Sequence, residues 1–357
     1  MEGVLAGVLL ATAACSSGHQ SAEAPRNTTS TAGPIPTSTV AKPAARPVAL
    51  SGIVVGSGSS VGMIDPVTGT YSTFAAFKGS QGTHSGTEYA ADYKRLATSI
   101  KFDDGFHPGW IDTNGDTFDV TPPAAKPGPF DTPKTYSYGA GSFDGRGDFY
   151  FVRNEFHGAG AHDANYPDAV DLFRVKNGSV TAEVVKHSDN RGSNEFREIT
   201  RYRSPGLLAR GYDGALLHEG VGKAMPGINQ TDYRSSCGYG HIDWISPNEI
   251  VTANGSMGAD GSGTNIYRIN VKSTDSEFDD ANAGGMVCGD SSKRELLPTT
   301  NESSVSSPVV SPDKKRIAFL RGGSELWIVN ADGQGQPVRV AVSGISLDKD
   351  STLLSWR

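Results

Sequence analysis

The chain has 357 residues, 36% hydrophobic and 20% charged, enough apolar content to bury a sizeable core and too much for a disordered protein. Its 44 Gly and 20 Pro weaken helix interiors, which argues for many short strands joined by turns and against a long-helix architecture. A net charge of −7, from 32 basic and 39 acidic residues, argues against nucleic acid as a partner, because nucleic acid is held by clustered Lys and Arg.

The first residues read MEGVLAGVLLATAACSSGHQ. Val4–Ala14 is an unbroken run of small and apolar residues, too short to span a bilayer as a helix but long enough to serve as the core of an export signal. The small residues directly before Cys15 resemble the lipobox of bacterial lipoproteins. That resemblance implies removal of residues 1–14 and diacylation of Cys15, which would anchor the chain to the outer face of the cell membrane through lipid alone. A plain secretory signal cut near Ala14, and a short core helix with a buried free Cys, are the alternatives. Residues 15–46 are rich in Ser, Thr, Ala and Pro and nearly free of large apolar side chains, so they cannot offset the entropy of ordering and are expected to form a flexible tether. Two acyl chains would hold such a tether firmly, since each buried methylene contributes about 0.8 kcal/mol.

From Gly52 onward the expected elements are strands. GIVVGS, VGMIDPVTG and TYSTFAAF (Gly52–Phe77) give three strands with none before them. AADYKRLATSI and GWIDTNGDTFDVT (Ala90–Thr121) pair a Lys-Arg turn and an apolar strand with a Trp-bearing strand and an Asn114-Gly115 turn, read as a two-residue hairpin turn of type I′. GSFDGRGDFYFVRNE and DLFRVKNGSVTAEVV (Gly141–Val185) repeat that order, with Asn177-Gly178 at the corresponding turn. Glu195–Gly220 supplies a fourth, less regular copy. DWISPNEIVTANG, TNIYRINV and KRELLP (Asp243–Pro298) make a fifth, lengthened by a loop that carries Cys288. The last copy is the plainest: SVSSPVV, the turn SPDKK, RIAFLR, the turn Gly322-Gly323, ELWIVN, the turn Asp332-Gly333 and PVRVAV give four antiparallel strands in about forty residues. STLLSWR (Ser351–Arg357) remains as a strand without a copy of its own.

The succession SPDKKRIAF, strand, NADG, strand resembles the WD40-like repeat of TolB-type β-propellers. The resemblance implies an all-β fold of six four-stranded antiparallel blades over residues 47–357, a non-catalytic scaffold that binds a protein or cell-envelope component, and a monomer. About 52 residues fall to each blade if 312 residues (357 − 45) are shared among six. STLLSWR then completes the three-stranded first blade, closing the ring and removing a free sheet edge. TolB itself carries an α/β domain ahead of its propeller, whereas this chain has only the tether there, so the likeness describes fold more than function.

Several motifs bear on chemistry. GSSVG (Gly58–Gly62) matches the nucleophile elbow of α/β-hydrolases, but a strand and a Pro-containing turn follow Ser60 where a helix is required, so the match is accidental. DTNGDTFD (Asp112–Asp119) lacks the sixth-position Gly and terminal Glu of a calcium loop and is read as a turn. Cys237 and Cys288, in an exported chain, are expected to form a disulfide, with two unpaired thiols as the alternative.

The polar run RNEFHGAGAHDANYPD (Arg153–Asp168) exceeds the template, which has only Arg321-Gly322-Gly323 there, and is read as a loop insertion. In a propeller, equivalent loops emerge on one face. The candidate binding face therefore comprises Asp103, Asp104, His107, Arg153, Glu155, His157, His162 and Asp163, with Lys101, Asn254, Ser256 and Asp260 contributing. Loops are polar because they face water, so a solvated surface is the plain alternative. No cofactor is implied. A metal in the central channel stays open, with His157, His162 and Asp163 as its ligands, and would suit an alternative function as a metal-dependent polysaccharide lyase or glycosidase.

Overall fold

The computed structural model describes residues 51–78, 84, 86–123, 134–139, 141–157, 167–189, 208–218, 241–253, 265–270, 293–298 and 304–357. By contacts the chain divides into Met1–Ala44, outside the described residues, and Ala45–Arg357. The expected signal, the whole tether, Cys15, Cys237 and Cys288 all lie outside the described residues, as do Asn254, Ser256, Asp260, His162 and Asp163. No helix long and apolar enough to cross a membrane occurs among the described residues.

The described part of Ala45–Arg357 is all-β, with 22 strands in six antiparallel sheets. The first sheet has the order β22-β1-β2-β3: β1 (Ile53–Ser57), β2 (Ser60–Ile64) and β3 (Tyr71–Ala76) follow one another, and β22 (Ser351–Trp356) pairs with β1. Ile53 faces Trp356 and Ser57 faces Ser351, so STLLSWR supplies the strand that the first copy lacks. Ser60 opens β2, which removes it from any strand-to-helix elbow.

The second sheet is β4 (Arg95–Phe102), β5 (Gly105–Asp112) and β6 (Thr117–Asp119). The third is β11-β10-β9-β7, formed by β7 (Lys134–Tyr138), β9 (Phe149–His157), β10 (Ala169–Val175) and β11 (Ala182–Ser188); β8 (Ser142–Phe143) pairs with the start of β9. This corrects the expected start at Gly141. The edge strand begins at Lys134 and is interrupted before β8, where a Cβ on Gly141 would lie 1.9 Å from the Phe149 ring. Two short strands, β12 (Leu208–Arg210) and β13 (Leu216–His218), represent the irregular fourth copy. The fifth sheet runs β14 (Ile242–Ser246), β15 (Glu249–Thr252), β16 (Tyr267–Asn270) and β17 (Lys293–Glu295). The sixth runs β18 (Val305–Val310), β19 (Arg316–Arg321), β20 (Glu325–Asn330) and β21 (Val338–Val340).

The repeat is visible in backbone detail. In AADYKR the Ala90 N–H donates to Arg95 O at 2.9 Å and Tyr93, at φ 55°, donates to Ala90 O; in SPDKKR the Ser311 N–H donates to Arg316 O at 2.8 Å and Lys314, at φ 62°, donates to Ser311 O. Two non-glycine residues thus take the left-handed conformation at the same place in the repeat. The Asp112–Asp116 turn differs from the expected type I′, which needs positive φ at both central residues. Only Gly115 (φ 91°) is left-handed there, and Asp112 Oδ1 accepts from the Asn114 and Asp116 N–H groups, which makes a three-residue loop with a glycine bulge.

Hydrogen bonds join consecutive sheets. Arg357 Nη2 donates to Ala91 O at 2.8 Å and Tyr93 Oη meets Ser355 Oγ at 2.8 Å, linking the first sheet to the second. The Phe143 N–H donates to Thr87 O at 2.7 Å, and the Gly145 N–H to Gly214 O at 2.7 Å, linking second to third and third to fourth. Trp244 Nε1 donates to Arg210 O at 2.8 Å, joining fourth to fifth, and the Val310 N–H donates to Asp243 Oδ2 at 2.8 Å, joining fifth to sixth. The Tyr71 N–H donates to Ser343 O and the Ser343 N–H to Gly69 O, joining the sixth copy back to the first. Apolar clusters fill the same junctions, such as Phe143, Phe149, Phe151 and Phe173 with Trp110, or Ile53 and Leu353 with Val309 and Leu326.

Candidate functional site

Strand alternation builds the site. In β9, Phe149, Phe151 and Arg153 share one face, and in β10, Asp171 shares a face with Phe173 and Val175. Pairing then aligns Tyr138, Arg153, Asp171 and His187 in one row across β7, β9, β10 and β11. Arg153 and Glu155 are therefore strand residues, not loop residues as the sequence implied. The segment is polar, but its alternation continues the Phe149-Phe151 face and the strand runs on to His157.

The row is tightly bonded. Arg153 donates to Asp171 Oδ2 through Nε at 3.1 Å and Nη2 at 2.6 Å, while its guanidinium sits 4.7 Å from the Tyr136 ring centroid and 4.9 Å from that of Phe173. Asp171, only 4% exposed, meets His187 Nδ1 with its other oxygen at 2.6 Å. The His187 side chain is half exposed, so the buried carboxylate fixes the ring orientation and directs Nε2 away from it. Glu155, also buried, pairs with Lys134 at 2.7 Å from the neighbouring strand.

The second sheet brings His107 to this row. His107 opens toward both sides: Nε2 lies 3.1 Å from Asp104 Oδ1 in the β4–β5 turn and Nδ1 lies 3.0 Å from Asp119 Oδ2 at the end of β6. Its ring lies 4.4 Å from the Phe102 centroid and 6.2 Å, edge-on, from Tyr138. Burial pulls the imidazole pKa down, but the hydrogen bonds and charges of Asp119 and Asp104 outweigh it and hold the pKa above the ordinary value. Burial likewise raises Asp119, yet its bonds to Thr121 and His107 leave it lowered. Burial holds the Tyr138 phenol up.

Of the sequence-predicted residues, the structure brings Asp104 and His107 to one side of Tyr138 and Arg153 to the other, with Glu155 one register step along β9. Asp103 is exposed in the β4–β5 turn, and His157 ends β9. The sequence reading missed Asp119, Tyr138, Asp171 and His187. A readable signal existed for two charges of the row: Arg153 and Asp171 each stand in phase with Phe residues of a strand, where an uncharged side chain is expected. Among the described residues no group of three His, Cys, Asp or Glu is arranged to hold a metal ion. A separate cavity of about 270 Å³ is lined by Leu297, Pro298, Phe319, Arg321, Trp327, Gln336 and Pro337, none of them a sequence-predicted site residue.

No family model matches the chain, and no curated protein does. Solved structures do. TolB from Acinetobacter baumannii is 14% identical, with 85% of this chain and 66% of that chain covered and a TM-score of 0.37, so the chain spans just under two thirds of its length. The Cps50 (Swd1) β-propeller domain of Myceliophteria thermophila is 13% identical, covering 83% of this chain and 88% of that one, with a TM-score of 0.37. An oligogalacturonate lyase in complex with manganese is 14% identical over 80% of this chain and 71% of that one, with a TM-score of 0.31.

Proposed function

We propose that the chain is an exported, lipid-anchored β-propeller of six blades that binds a protein or another cell-envelope component and catalyses no reaction. The observation that carries the fold is the succession of inter-sheet hydrogen bonds, which steps through all six sheets and returns from Ser343 to Gly69 and Tyr71. Each sheet is then one blade, and β22 closes the ring by serving as the first blade's missing strand. The binding face is the side that carries the β4–β5 turn, the end of β9 and the polar row. Charged groups buried against aromatic rings there are rigid, so their exposed neighbours Asp104 and His187 are presented in fixed positions.

The address is tested by mass spectrometry of protein extracted from membranes of cells that express the full chain. A diacylated Cys15 at the N-terminus is expected; an unmodified N-terminus or an intact Met1 overturns the anchor. The binding reading is tested by affinity capture from envelope extracts with the wild-type chain and with Asp104→Lys/His187→Ala. A component retained by the wild type and lost by the variant is expected, and equal recovery overturns the face.

One observation favours the second reading, a propeller enzyme: Asp171 orients the exposed His187 through Nδ1, the arrangement that prepares an imidazole as a general base. Polysaccharide cleavage by the wild type, lost in His187→Ala, would replace the binding-only proposal.

A further inference from the structure

A second polar centre lies at the opposite ends of the strands, where AADYKR makes its turn. Two guanidinium groups are anchored on the carbonyls of one three-residue segment. Arg210, at the end of β12, donates through Nη2 to Tyr89 O and through Nε to Phe143 O at 3.3 Å. Arg357 donates through Nη2 to Ala91 O at 2.8 Å. Tyr93 lies with them: the Arg357 guanidinium sits 5.1 Å from its ring centroid, and its hydroxyl meets Ser355 Oγ. The left-handed turn at Tyr93 and the strand end at Arg357 therefore place these groups together although 264 positions (357 − 93) separate them in sequence.

Neither guanidinium here is ion-paired among the described residues. Backbone carbonyls accept the hydrogen bonds of both arginines, whereas Arg153, Arg174, Arg268 and Arg339 each have a carboxylate partner. Of the acids beside the acceptor carbonyls in sequence, Glu88 pairs with His84 at 2.7 Å, Asp92 accepts the Lys94 N–H through Oδ1 at 3.0 Å, and Asp144 is almost fully buried, its Oδ1 accepting the Arg146 and Asp148 N–H groups at 2.9 Å. Burial pushes that carboxyl up toward its neutral form, which weakens it further as a counter-ion. Burial presses Arg210 down from its ordinary value; Tyr93 and Asp144 act against that shift, and the charge of Arg357 acts with it. A guanidinium remains charged in proteins, so an enclosed one without a carboxylate is held at a cost that a bound anion offsets.

We propose that Arg210 and Arg357, with Tyr93 beside them, form an oxyanion-binding site for a ligand bearing a carboxylate or phosphate group. Arg357 is exposed and Arg210 lies deeper, so the ligand enters past Arg357 and its oxygens meet the N–H groups that the carbonyls leave unused. The site rests on these local bonds and is independent of the blade count and of the proposed binding face on the other side.

The test uses the full chain titrated with inorganic phosphate and, separately, citrate, by calorimetry and thermal denaturation against sodium chloride at matched ionic strength. Saturable binding of one anion with a raised melting temperature is expected; phosphate alone assigns the phosphate class and citrate alone the carboxylate class. Arg357→Gln, whose side chain is exposed and whose backbone bonds to Gly52 are kept, weakens that binding by about tenfold or more, the usual scale for losing a charged hydrogen-bond donor. Arg210→Gln, if it folds, weakens it further. Anion effects no larger than those of chloride, or unchanged affinity in Arg357→Gln, overturn the proposal.

Discussion

Asp171→Ala tests whether the buried polar row is held by its pairing. Asp171 is 4% exposed and accepts three charge-assisted hydrogen bonds, two from Arg153 and one from His187. Removing it strands Arg153 between Tyr136 and Phe173 with no carboxylate, and the expected loss is about 3–5 kcal/mol, the range for breaking a buried pair from one side. The rings already beside Arg153 retain part of the cation's stabilisation, so the lower half of that range is favoured. Replacing both partners, as Arg153→Met/Asp171→Leu, removes the stranded charge as well and recovers most of the loss. Urea denaturation of the wild type, both single variants and the double variant gives the coupling directly. A cost below about 1 kcal/mol for Asp171→Ala, or a double variant less stable than either single one, would refute the idea that the row is a compensated buried pair.

Three further outcomes follow from named contacts. Because the folded-state pKa of His107 is raised, its contribution to stability is fully present below about pH 6.5 and is lost as pH rises through the folded value; His107→Gln should flatten that part of a stability–pH profile, and an unchanged profile counts against the Asp104–His107–Asp119 bridge. Gly69 has φ 71°, and a Cβ there would lie 2.0 Å from Ala341 O, so Gly69→Ala should lower stability by more than about 1 kcal/mol, as read by denaturant midpoint, since both the left-handed backbone and the junction between the sixth and first sheets are strained. Removing residues 351–357 exposes the edge of β1 and deletes the buried Leu353, Leu354 and Trp356, each worth about 2–5 kcal/mol in a packed core; insoluble or aggregated protein is expected by size-exclusion chromatography, and a monomeric folded product would refute the role of β22.

Local pattern was enough for much of the architecture. The alternation in RIAFLR and ELWIVN, the glycine turns between them and the shared hydrogen bonds of AADYKR and SPDKKR depend on neighbours within a few residues, so they are legible in order along the chain. The partnership of STLLSWR with Gly52–Ser57 was also legible, because a strand without a copy and a copy without a strand have one simple resolution.

The site was not legible in the same way. The sequence placed Arg153 and Glu155 in a polar loop, since polarity is the local mark of a loop, yet cross-strand register pairs Arg153 with Asp171 and stacks it on Tyr136 and Phe173, which makes a charged strand residue stable. By itself the sequence determined an all-β chain of repeated antiparallel units with its Lys-Arg turns, because hydrogen-bond period and turn chemistry are local properties. Only the tertiary structure decided that Arg153, Asp171 and His187 form one row, that His107 joins it through Tyr138, and that Arg210 and Arg357 meet on Tyr89 and Ala91. Charge compensation acts through space, between groups whose separation along the chain carries no record of it.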